Sequence, residues 1–134
     1  MKYLITMLVL VGFLTSCNKT GKALKERIIN ADSAAINFFK GDGSMDTVVA
    51  VKIIRDKASL EKLTQLVTAA AAGARADCGT DGSIHYFKNN MVVQDIYFRM
   101  HSKECDHFSF VLDGKTAAAV LSAEAAAFLM EVKK

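Results

Sequence analysis

Two dipeptides constrain this chain more than any other feature. Asn89-Asn90 separates the run Ser83 to Lys88 from Met91 to Met100, and Asp113-Gly114 separates His107 to Leu112 from Lys115 to Leu121. Asn, Asp and Gly tolerate the positive φ that two-residue hairpin turns require. The flanking runs are rich in β-branched and aromatic residues, which suit a pleated, half-buried surface. With only Ser102 to Asp106 between the two hairpins, the second half of the chain is expected to be a four-strand antiparallel meander.

The first half supplies helices. Leu24, Ile28, Ala31, Ala35 and Phe38 recur at spacings of four, three, four and three, so a helix is expected from Lys22 to Phe39, with Gly41 as its C-terminal cap. Thr47 to Ile54 is β-branched and reads as a strand; Val49, Val51 and Ile53 share one face and Val48, Ala50 and Ile54 the other with Lys52, so the strand is expected to be interior or well covered. Asp56 or Ser59 can cap a following helix whose buried face is Leu60, Leu63, Val67 and Ala70, fraying through the alanine run before Gly73. Ser122 can cap a last helix, Ala123 to Lys133, facing inward through Ala126, Leu129 and Val132 or Met130. The expected fold is a single small α+β domain of order α-β-α-β-β-β-β-α, with helices packed on the meander. No internal repeat is present.

Ahead of the domain, Tyr3 to Leu14 is an apolar run of about twelve residues behind Lys2, too short to span a bilayer as a helix. It ends in Leu14-Thr15-Ser16-Cys17. This tetrapeptide resembles the lipobox of bacterial lipoproteins: an aliphatic residue, a tolerant position, a small residue, then the cysteine. The resemblance covers the first 17 residues. It implies a cleaved signal peptide (residues 1–16), a diacylglyceryl group on Cys17, and a short tether (17–21) that holds a domain of residues 22–134 near the membrane. Asn18 after the cysteine implies sorting to the outer membrane, periplasmic side.

Lys2 is the only charge in residues 1–16, so the 17 basic and 14 acidic side chains of the whole chain become 16 and 14 in the mature one. That near balance gives no basic patch for nucleic acid. A local excess of Lys19, Lys22, Lys25 and Arg27 over Glu26 would favour anionic head groups beside the anchor. With Cys17 lipidated, Cys78 and Cys105 remain. An even pair in an oxidising compartment is expected to form a disulfide, with the loops bending over one end of the sheet and Gly79 easing the bend.

Pairing Lys88 with Met91 would set Tyr86 against Val93 and Ile84 against Asp95. Placing Met100 opposite His107 would set Tyr97 against Phe110 and Arg99 against Phe108. Both faces of such a sheet are more apolar than one wet face needs, so either helices cover both or one receives a partner or ligand. His85, His101 and His107 cluster in the second half and are placed to approach one end of the sheet, but without metal-ligand spacing. Asp77, Asp81, Asp95, Glu104 and Asp106 read as turn acids. No nucleophile elbow or phosphate-cradling glycine loop is present. No catalytic residue, cofactor or metal is therefore expected. The expected function is a non-catalytic, lipid-anchored envelope protein that engages an envelope protein partner. The alternatives are a periplasmic carrier of a small apolar ligand and, last, a small hydrolase using a carboxylate–histidine pair.

Overall fold

A computed structural model describes residues 19–41, 45, 47–73, 78–102 and 104–134. The elements run α1 (Lys19–Ile28), β1 (Ser33–Phe39), β2 (Val48–Ile54), α2 (Lys57–Thr68), β3 (Gly82–Lys88), β4 (Met91–Arg99), β5 (His107–Leu112), β6 (Lys115–Val120) and α3 (Ala123–Lys133). The α+β class holds. The expected order and the four-strand sheet are corrected: among the described residues six antiparallel strands lie in the order β2-β1-β3-β4-β5-β6.

The correction arises in the stretch read as one helix. That stretch breaks after Ile28, and Ser33–Phe39 becomes a strand between β2 and β3. The apolar residues fit both periods, since Ala34, Ile36 and Phe38 alternate as well as any helical stripe. Hydrogen bonding on both flanks decides for the strand. Asp32 fixes the entry: its N–H donates to Phe87 O (2.9 Å), and its carboxylate accepts from Asn89 N (3.0 Å).

Both hairpin dipeptides form as expected, with Asn89, Asn90, Asp113 and Gly114 all at φ between +51° and +77°. The assumed register fails at a bulge. Phe87 pairs with Val92 but Tyr86 pairs with Gln94, so Val93 is an extra residue on β4. A one-residue shift exchanges the faces of everything beyond it. His85, not Ile84, opposes Asp95, and Ile96 and Phe98 turn inward. Across the next pair, Arg99 meets His107 and Tyr97 meets Ser109. Gln94 becomes a buried polar group, satisfied by Nε2 donating to Asp95 O (3.0 Å) and Val111 O (3.2 Å).

The helices cover one face. Ile36, Phe38, Ile84, Tyr86, Ile96, Phe98, Phe108 and Phe110 form one core with Leu24 and Ile28 of α1, Leu63, Leu66 and Val67 of α2, and Ala125 and Leu129 of α3. At about 1.5–3 kcal/mol per fully buried large side chain, this layer is the main source of stability. Asp56 caps α2 by accepting from Ser59 N (2.9 Å), and Ser122 caps α3 by accepting from Ala125 N (3.1 Å). Met130, one of the two expected inward residues at the end of α3, is exposed, and Val132 packs against the core.

Candidate functional site

Among the described residues no helix covers the other face of the sheet. Alternation along each strand sends Val51 and Ile53 of β2, Ala35 and Asn37 of β1, Ser83 and His85 of β3, Asp95 and Tyr97 of β4, and Ser109 and Val111 of β5 to this side. One row across the sheet reads Val51, Asn37, Ser83, Tyr97, Ser109, Ala118. The next reads Ile53, Ala35, His85, Asp95.

The two edges of the sheet differ. The outer edge of β6 is covered over its last three residues, Ala118 to Val120, by residues 71–73: Val120 N donates to Ala71 O (2.7 Å), Gly73 N donates to Ala118 O (3.1 Å), and Ala72 bridges Ala119. The outer edge of β2 pairs with no strand among the described residues. Four of its seven residues are exposed and apolar: Val48 (45%), Val49 (54%), Val51 (56%) and Ile53 (55%). Its one charge, Lys52, sits opposite Ile36 on the helix-covered side. Proline and outward-pointing charges are the usual guards of an edge. Here neither is present, and only the register shift near Phe39 disturbs the strand.

A polar relay crosses the middle of the open face. Asn37 Nδ2 donates to Ser83 Oγ (3.3 Å), Ser83 Oγ lies 3.0 Å from His85 Nε2, and His85 Nδ1 lies 2.5 Å from Asp95 Oδ1. With Nδ1–H given to the carboxylate, Nε2 accepts the serine proton, which is the order of a nucleophile–base–acid triad. Acyl transfer also needs an accessible nucleophile and free donors for the oxyanion. Ser83 is 2% exposed, and β3 is hydrogen-bonded on both sides, so its backbone N–H groups are engaged. The relay positions Asp95 at the rim of a shallow hollow of about 480 Å³ floored by Tyr97, Ser109, Val111 and Thr116.

At one end of the sheet Cys78 and Cys105 are joined by a disulfide, with Cα atoms 6.4 Å apart. As expected, the loops meet beyond the strand between them, and Gly79 adopts φ +94°. Asp81 locks the approach: its N–H donates to Phe98 O (2.7 Å), while its carboxylate accepts from Met100 N (2.7 Å) and Arg99 Nη1 (3.2 Å). His107 is buried beside the disulfide. His101 lies near this end, whereas His85 lies mid-sheet, so the three histidines do not converge. Among the expected turn acids, Asp106 accepts from Ser102 N (2.7 Å), and Asp77 lies outside the described residues. Cys17 also lies outside them.

On the helix side, α1 and α2 enclose a groove of about 900 Å³ with Ile28 and Leu60 in its walls and Lys22, Lys25, Arg55 and Lys57 among its lining. Of the basic cluster, Arg27 is engaged instead in an ion pair with Asp113.

No protein-family model, curated protein or solved structure matches the chain.

Proposed function

We propose that this chain is a lipid-anchored protein of the bacterial cell envelope that works without catalysis, docking an extended segment of a partner protein on the outer edge of β2. The observation that carries the reading is the asymmetry of the two sheet edges. Residues 71–73 cover the last three residues of β6, whereas no strand among the described residues pairs with the outer edge of β2. An open edge offers a row of N–H and C=O groups, and an added strand satisfies them while its side chains meet Val51 and Ile53. Main-chain hydrogen bonds then supply affinity, and the exposed apolar side chains supply register.

The anchor rests on Leu14-Thr15-Ser16-Cys17 and its apolar lead-in. Since α1 begins at Lys19, a single residue, Asn18, separates the lipidated cysteine from the domain, two chain steps that reach at most about 7 Å. No helix among the described residues is long and apolar enough to cross a membrane. In this reading the lipid on Cys17 is the attachment, and Asn18 favours the outer membrane. Replacing Cys17 with Ser should release the chain from the membrane or leave it unprocessed; a variant that fractionates and migrates like the wild type contradicts the anchor. For docking, Val51→Lys with Ile53→Lys should abolish co-purification of the partner while leaving the melting temperature unchanged. Retained co-purification contradicts the edge as the site.

The groove between α1 and α2 favours a second reading, a carrier whose ligand has an apolar body and an anionic end. Its size is within the range of small-molecule sites, and its four cations exceed the two acids, Asp32 and Glu61, that share the lining. Saturable uptake of a fluorescent fatty acid, lost on Lys25→Glu, would support this reading over docking.

A further inference from the structure

We propose that Cys78, Cys105 and His107 form a binding site for a zinc-like divalent ion, and that the site opens only when the disulfide is reduced. This goes beyond the docking reading and does not depend on it. One ligand atom from each of the three residues lies within 4.8 Å of the others. Cys78 Sγ is 3.9 Å from His107 Nδ1. Zinc bound tetrahedrally at about 2.3 Å from sulfur and about 2.05 Å from nitrogen sets that separation at roughly 3.6 Å. The imidazole already stands near the distance a shared ion would impose. Only the two sulfurs must part, to roughly 3.8 Å on the same geometry.

The surroundings favour retention of this arrangement once the sulfur–sulfur bond is broken. Cys105 and His107 lie two residues apart at the entry to β5, so the extended chain points both to one side. The Cys78 loop is held separately, by the Asp81 contacts to Phe98, Arg99 and Met100, none of which involves sulfur. His107 is 1% exposed and Cys105 6%, while Cys78 is half-buried and gives the site its opening to solvent. His107 Nδ1 now lies 2.7 Å from Cys105 O and donates its proton there. On metal binding the imidazole takes its other neutral tautomer, the proton moving to Nε2, and the Cys105 carbonyl gives up that donor.

The chemistry balances with a dithiol as reductant. The dithiol transfers two electrons and two protons to the disulfide, leaving two protein thiols and its own disulfide. The divalent ion then displaces both thiol protons and binds two thiolates and one imidazole nitrogen, with water in the fourth position. In the oxidised protein the two sulfurs are bonded to each other, and neither is a thiolate.

The test uses the full chain carrying Cys17→Ser, purified in detergent so that only two thiols remain. Cobalt is titrated into oxidised and phosphine-reduced protein, and zinc is used to displace it. The reduced chain should bind one equivalent with thiolate charge-transfer and tetrahedral ligand-field absorption, and the oxidised chain none. His107→Gln keeps an N–H donor for the Cys105 carbonyl without a ring nitrogen, and should weaken cobalt binding by at least about tenfold. If reduction alone unfolds the chain, zinc should restore its circular dichroism. Three results overturn the site: no tetrahedral cobalt spectrum on reduction, equal affinity in His107→Gln, or a reduced, unfolded chain that zinc fails to refold.

Discussion

Gly82 of β3 lies directly opposite Phe98 of β4, and the Phe98 ring occupies the space that a side chain on Gly82 would fill. On the other flank Gly82 is paired with Phe38, and the two rings meet edge to face over the glycine, their centroids 5.8 Å apart. A β-carbon at this position would also strike Asn37 O, which is backbone and cannot swing aside. Gly82→Ala should therefore destabilise the fold by about 2–4 kcal/mol, at or above the usual range for overpacking. Urea denaturation checks this. A change within about 0.5 kcal/mol would mean that the aromatic pair can move.

The disulfide joins residues 27 apart in sequence. Closing a loop of that length stabilises by roughly 3–4 kcal/mol in the chain-entropy model, which is a large share of a small domain's stability. Cys78→Ser with Cys105→Ser, measured with a chelator present, should lose about that much in urea. A loss below about 1 kcal/mol would show that the Asp81 contacts hold this corner unaided.

Acid should weaken the start of α2. Asp56 accepts hydrogen bonds from Ser59, side chain first and backbone second, and these hold its carboxyl below the ordinary 3.8. A depressed folded value contributes stability that is present above the unfolded pKa and lost as pH falls through the folded one. Asp56→Asn keeps a capping oxygen and does not titrate. Between about pH 5 and pH 2 its stability should therefore fall less steeply than that of the wild type. Parallel acid limbs in the two proteins would contradict the assignment.

What the sequence disclosed follows from the range of each signal. Turns and caps are local, so Asn89-Asn90, Asp113-Gly114, Asp56 and Ser122 all act where their chemistry places them. The split of residues 22–39 is not local. Ala34, Ile36 and Phe38 satisfy both periods, and only pairing with β2 and β3 on the two flanks selects the strand. The bulge at Val93 has no residue signature either, because a valine is at home in any strand. Missing it misaligned His85 and Asp95, so the relay through Ser83 was not visible in advance. The disulfide was legible because parity and compartment require no geometry. His107 beside it was not, since Cys78 reaches it only through the fold. The free edge is misread: apolar residues on both faces of Val48 to Ile54 suit an interior strand, yet β2 ends the sheet and leaves Val48, Val49, Val51 and Ile53 exposed, because strand order is set by pairing and not by composition.

The docking edge is tested most directly by a photo-reactive residue at Val51 in the full-length protein, activated in its native envelope, with a second copy of the experiment at Gln65 in the α1–α2 groove. The account predicts one discrete protein adduct at Val51, lost when Ile53 is replaced by Lys, and no protein adduct at Gln65. No protein adduct at Val51, or equal adducts at both positions, would contradict it.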